Sequence, residues 1–287
     1  MAGRPVPVAV VEMCAALGVS RSGYYAHRNK PQGMRCRQDR QLRDILARCF
    51  RESRHTYGTP RLRADLRDLG HRVGRRRIAR LMREQGLRPR QKRRFVPKTT
   101  DSRHGRPVAS HKLLERAAPD APGQVWVGDI TYIPTGEGWL YLAAEMDLFS
   151  RRIVGWDARE HMERGLVVNA LANAVATNKG RLRGLLHHSD QGSQYASHDF
   201  VDTLSGPGIE ASMSRRGNCY DNAAMESFWA TLKAECFDRG IPATRRQARS
   251  MIFDYIEAFY NTRRRHSALG YLSPAAYEQT THSKARF

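Results

Sequence analysis

Apolar positions recur at helical spacing through the first third of the chain and give way to strand-like runs near residue 124. In residues 9–28, Val11, Cys14, Ala15 and Leu17 fit one helical stripe. Gly18 can end that helix in the left-handed conformation and Ser20 can cap the next, so the segment predicts a helix-turn-helix. A linking helix is expected over 38–52, with Leu42, Ile45, Leu46 and Cys49 on one side. A second helix pair is expected over 60–86. Pro60 opens a helix that buries Leu62, Leu66 and Leu69, Gly70 closes it, and Ile78, Leu81 and Met82 define its successor. Residues 88–118 contain Pro89, Pro97 and Pro107 and few apolar clusters, the composition of a linker or extended arm.

Past residue 119 the pattern predicts strands over 124–134, 139–149 and 152–157, with Gly136 and Gly138 in the first turn, hence an antiparallel meander. A helix over 163–177, a short buried strand over 185–188, a further short helix and strand before residue 217, and helices over 221–235 and 245–261 follow. This order predicts an α/β fold: a mixed sheet flanked by helices, preceded by a mostly helical region. No run approaches 18 apolar residues, and no charged-then-apolar leader opens the chain. A membrane-spanning or classically secreted protein is therefore not expected, and a cytoplasmic one is.

Charge divides the 287 residues more sharply than hydropathy does. Residues 1–118 hold 30 Lys and Arg against 9 Asp and Glu, while residues 119–287 hold 19 of each, so the whole formal charge of +21 belongs to the first part. A boundary near 119 thus separates a basic helical region, 1–118, from a neutral one, 119–287. A basic region suits nucleic acid, an anionic membrane or an acidic protein. The arginine density between residues 72 and 94 favours nucleic acid, because each phosphate neutralised releases condensed counterions. Arg75, Arg76, Arg77, Arg80 and Arg83 share one helix with an apolar stripe, as a groove-lying helix requires. The plainer alternative is a basic face turned to solvent. The five cysteines form no C-x-x-C pair and read as reduced thiols, neither disulfides nor a zinc site.

Three acidic residues stand in settings unlike a surface charge. Asp129 lies mid-strand between apolar neighbours, where a carboxylate must be desolvated or paired. Asp190 follows the short strand directly, at the end where open α/β sheets place ligand groups. Glu226 sits on a helix whose core face is Met225, Phe228, Trp229 and Leu232. Two strand acids and one helix acid can converge at one sheet edge, a donor set suited to hard divalent cations. Taken singly, each acid equally fits a salt bridge or a helix cap.

The residues around these acids carry a resemblance. Trp126-Val127-Gly128-Asp129-Ile130-Thr131-Tyr132, His188-Ser189-Asp190-Gln191-Gly192-Ser193-Gln194-Tyr195 and Asp221-Asn222-Ala223-Ala224-Met225-Glu226-Ser227-Phe228 stand in order, with 35 residues between Asp190 and Glu226. Near the end stands Tyr260-Asn261-Thr262-Arg263-Arg264-Arg265-His266-Ser267. The chain resembles the retroviral-integrase-like DDE transposases, and among them the second-frame product of the insertion-sequence-three family, over about residues 55–280. The resemblance implies a ribonuclease H-like catalytic core over 119–287. It implies Asp129, Asp190 and Glu226 as ligands of two Mg2+ or Mn2+ ions, with DNA strand cleavage by water and strand transfer by a 3′-hydroxyl, and no covalent enzyme–DNA intermediate. Double-stranded DNA, as element ends and target, is the implied partner.

Helical spacing puts Asn222, Glu226 and Lys233 on one face, and the resemblance makes Lys233 a DNA contact. His187, His188 and Gln194 flank the second acid and are read as orienting the acid or the DNA, or as structural. Arg263, Arg264, Arg265 and His266 are read as backbone contacts or an assembly surface. In this family the complete transposase usually joins a first-frame segment bearing a leucine zipper. No heptad run occurs here, so a first-frame protein or fusion partner is expected. Joining DNA at two ends implies a homodimer or larger assembly, in the bacterial cytoplasm at the nucleoid. Two other functions fit less well: a DNA-binding regulator with an inert catalytic half, and a ribonuclease H-like nuclease that cleaves without joining.

Overall fold

A computed structural model describes residues 9–29, 34–90, 109–114, 116–178, 182–214, 222–237 and 240–284. Residues 91–108 of the expected linker, and residue 221 of the expected helix, lie outside them. The first hairpin forms as its pattern predicts: α1 (Val10–Ala16), Gly18 at φ +63°, and α2 (Arg21–Arg28) capped by Ser20, whose hydroxyl accepts from Gly23 N at 3.0 Å. Its apolar stripe is not buried. Cys14 alone is covered, while Val11 and Leu17 are 51% and 76% exposed.

Helices α3 (Met34–Glu52), α4 (Thr59–Asp68) and α5 (Arg75–Glu84) form a three-helix unit. Leu42, Leu46, Cys49 and Phe50 of α3 pack with Leu62 and Leu66 of α4 and with Ile78, Leu81 and Met82 of α5. The segment expected merely to link is thus the unit's third side. Leu69, expected inside, follows the last residue of α4 and is 48% exposed, because the chain leaves the helix there to turn at Gly70. Asp39 of α3 is buried and bridges to Arg77 at 2.7 Å and Arg80 at 2.6 Å. Arg80 holds its carboxyl below the usual carboxylate range, with Arg77 adding to that effect against the opposing cost of burial.

The second region is a five-stranded sheet in the order β3-β2-β1-β4-β5. β1 (Val125–Thr135), β2 (Gly138–Asp147) and β3 (Ile153–Arg159) make the antiparallel meander. After α6 (Arg164–Thr177), β4 (Leu186–Ser189) runs parallel to β1, and after α7 (His198–Ser205), β5 (Glu210–Met213) runs parallel to β4. α8 (Ala223–Cys236), α9 (Arg245–Tyr255) and α10 (Pro274–Lys284) complete the chain, with a π-helical turn, Ile256–Tyr260, extending α9. Alternation along the strands sorts side chains to two faces. Trp126, Ala143 and Val154 pack with α6 and α7, while Val127, Leu142, Ala144 and Met146 pack with α8 and α9. This is the ribonuclease H-like layering expected.

Hydrogen bonds from outside the sheet reach both of its edges. On β3 the carbonyls of Val154, Trp156 and Ala158 accept from Thr177 Oγ1, Asn173 Nδ2 and Arg249 Nε at 3.0–3.1 Å. At β5, Met213 N donates to Ser110 O and Ser212 Oγ accepts from Lys112 N, so the end of the arm lies against that edge.

The three-helix unit and the sheet region share one apolar cluster, and a polar clasp reinforces it. Tyr57 Oη donates to Arg263 O and accepts from Arg265 N at 2.7 Å. The Arg265 guanidinium bridges Asp65 and Asp68 of α4. Arg264 is 3% exposed and bidentate on Glu235, which also accepts from Tyr255 Oη at 2.8 Å. Arg264 and Arg265 are therefore internal ties rather than the surface contacts that their sequence setting suggests.

Candidate active site

β1 and β4 are parallel neighbours with Val127 opposite His188. Continuing that register by one pleat sets Asp129 beside Asp190, on the face that α8 covers. Asp129 is half-buried. Its Oδ1 accepts from Ile130 N at 2.8 Å and its Oδ2 from Trp229 Nε1 at 2.9 Å. Asp190 stands in the loop after β4, where its Oδ1 accepts from Gly192 N at 2.9 Å. Glu226 is exposed in the first turn of α8, where the helix dipole favours a carboxylate. Trp229 lies three residues further on, so its bond to Asp129 pins the start of α8 over β1 and carries Glu226 to the same end.

Burial above all, then the charge on Asp190 and more weakly that on Glu226, pushes the Asp129 carboxyl up to about 7. The bonds from Trp229 and Ile130 pull the other way. Asp129 therefore lies within the field of the other two acids. They are not closed into a chelate: among the described residues no three His, Cys, Asp or Glu side chains form a group that holds an ion as they stand. The donors nevertheless suit a hard cation, being all carboxylate oxygens whose mutual repulsion a double positive charge would relieve.

The other expected site residues fall in three kinds of place. Asn222 is buried, and its Nδ2 donates to Gly128 O at 3.3 Å, tying the start of α8 to the residue before Asp129. Lys233 is half-buried, its Nζ 4.9 Å from the centroid of the Tyr132 ring. Burial lowers its pKa, and the charge of Asp129 acts against that. Along the face expected for Asn222, Glu226 and Lys233, exposure thus varies from buried through exposed to half-buried. His188 is buried, bonded through Nδ1 to Ser212 Oγ at 2.9 Å and in tilted ring contact with His111 at 5.0 Å, so it fastens β4 to β5 and the arm. Gln194 is half-buried in the loop after Asp190. Arg75, Arg76 and Arg83 are exposed, whereas Arg77 and Arg80 are held by Asp39.

Trp229 was legible only as a core residue. The available signal was its indole N–H, which needs an acceptor when buried. Gly128 and Glu145 gave no such signal, since their meaning depends on neighbouring strands.

The chain is similar to known proteins over most of its length. Integrase core domain models match residues 119–219 and 207–274, and an HTH-like domain model matches residues 37–95. The insertion element IS600 uncharacterized 31 kDa protein of Shigella sonnei is 46% identical over 273 residues, covering 95% of this chain and 100% of that one. The transposase InsF for insertion sequence IS3A of Escherichia coli (strain K12) is 40% identical over 268 residues, covering 93% and 92%. Among solved structures, the HTLV-2 integrase catalytic core domain in complex with magnesium (trimeric form) matches 55% of this chain and 98% of that one at 14% identity, with a TM-score of 0.42. Identity of this extent with named transposases, running through both the helix-turn-helix-like unit and the integrase core, places the chain in the IS3 family of transposases.

Proposed function

We propose that this transposase cuts and joins DNA strands at insertion-element ends by two-metal-ion phosphodiester chemistry at Asp129, Asp190 and Glu226. The supporting observation is the Asp129 carboxyl, driven upward by burial and by the two other acids at the same end of the sheet. Mg2+ or Mn2+ held there would supply Lewis-acid activation of the attacking and leaving oxygens. The protein's own part is positioning. Trp229 and Ile130 N–H groups fix the Asp129 carboxylate, and Gly192 N–H fixes Asp190. Glu226 closes from the exposed first turn of α8. Lys233, beside Asp129 and over Tyr132, is placed to hold a substrate phosphate.

DNA is held by the basic region. Arg75, Arg76 and Arg83 serve as the phosphate contacts of α5, because Arg77 and Arg80 are spent on Asp39. The helical region, 1–118, is the DNA-binding domain and 119–287 the catalytic one, acting in the cytoplasm as a homodimer or larger assembly on element ends and target. Among the described residues no helix is long and apolar enough to cross a membrane.

The test is strand transfer with pre-cleaved element ends. Joining that requires Mg2+ or Mn2+ and disappears in Asp190→Asn supports the proposal. Binding without joining in the unaltered protein would leave a regulator, and cleavage without joining a nuclease.

A further inference from the structure

We infer that Glu145 and His187 form a positioning clamp that sets the spacing of Asp129 and Asp190 from the opposite face of the sheet. The inference rests on the proposed role of those acids. Glu145 of β2 lies opposite Gly128 of β1, and His187 of β4 lies opposite Trp126 of β1. Residues directly opposite point to the same side, so both side chains occupy the Trp126 face, behind Asp129. They meet there: His187 Nε2 is 2.8 Å from Glu145 Oε2, with side-chain exposures of 1% and 0%. β2 and β4 are not neighbours in the sheet, so this bond joins them across β1 where no ladder bond can.

The bridge passes directly over Gly128. A Cβ at that position would stand 2.7 Å from Glu145 Oε2 and 2.9 Å from His187 Nε2. A side chain there would push the pair apart, and the residue that this glycine precedes is Asp129. On the front of the sheet Asn222 holds the carbonyl of the same glycine. The His187 ring is braced edge-to-face on Phe200 of α7 at 5.2 Å, and His187 lies three residues before Asp190. Glu145 Oε1 is buried without a hydrogen-bond partner among the described residues, so the pair is a poor device for stability alone. An apolar pair of similar volume would fill the space, but it would not fix the strands in one register.

Outer groups that orient metal-binding side chains typically change ion affinity by about 10–100-fold when removed. The experiment titrates Mn2+ into the full chain, reads free Mn2+ by paramagnetic resonance, and measures duplex DNA affinity and cooperative thermal melting in parallel. Glu145→Leu and His187→Leu are expected to weaken Mn2+ binding about tenfold or more while keeping a cooperative melt and DNA affinity. Glu145→Gln, which retains a bond to His187, is expected to stay near the unaltered protein. Folded leucine variants that bind Mn2+ normally, or Glu145→Gln falling as far as Glu145→Leu, would overturn the clamp. Should the leucine variants not fold, Gly128→Ala, whose methyl parts the pair, is expected to show the same loss, and normal Mn2+ binding by it would also overturn the clamp. An unaltered protein that binds no Mn2+ overturns both this inference and the function beneath it.

Discussion

Two carboxylates of this protein sit near the same apolar cluster with opposite surroundings. Glu235 receives a bidentate guanidinium from Arg264 and a hydroxyl from Tyr255. Among the described residues Asp129 accepts from an indole and a backbone N–H, and it faces two further acids and the charge of Lys233. The first arrangement is complete and joins α8 to the tail. The second is left in need of positive charge. An acid matched by a cation serves the fold, whereas an acid set against other acids is where the proposed function places its ions.

The contrast can be broken from either side. Asp190→Asn is expected to reduce strand transfer by at least about 10³-fold, equivalent to about 4 kcal/mol, while the melting temperature stays within a few degrees of the unaltered value. A large loss of stability would mean that the acidic site is structural after all. Conversely, Arg264→Met leaves Glu235 buried with its charge unmatched, and urea unfolding should report a loss of about 3–5 kcal/mol. Adding Glu235→Leu should restore much of that; failure to do so would show that the pair is more than an isolated tie. A smaller effect is expected at the clasp between the two regions. Arg265→Ala should cost about 1–2 kcal/mol, with coupling to Asp65→Ala in a double-mutant cycle. Strict additivity would remove the clasp.

The smallest effect concerns pH. The folded-state pKa of Asp39 is depressed, chiefly by Arg80, so its contribution is fully present above about pH 4, the unfolded value. It is lost as pH falls through the lower folded value. Acid titration of thermal stability below pH 4 should therefore be steeper for the unaltered protein than for Asp39→Asn, and equal slopes would remove Asp39 as a stabilising acid.

The order of elements was legible because periodicity changes with backbone geometry: helical spacing at Leu42, Leu46 and Cys49, alternation from Trp126 to Val127. The three acids stood out because each interrupts an apolar pattern, and the resemblance then singled them out as a set. What the pattern could not show was partnership. Val11 and Leu17 form a stripe as regular as that of Leu62 and Leu66, yet only the latter meets a third helix. Arg77 and Arg80 look like Arg75 and Arg76 in the text, and only the fold reveals Asp39, some forty positions earlier, beneath them. Glu145 and His187 are separated in the same way, joined by strands that do not touch each other.

The capped carbonyls of β3 and the arm laid along β5 have a consequence for crowding. Several copies working on one stretch of DNA would bring their sheets close, and bare strand borders would recruit one another into open-ended stacks. With Thr177, Asn173 and Arg249 bonded to one border and residues 110–112 to the other, each border offers fewer open backbone groups to such pairing.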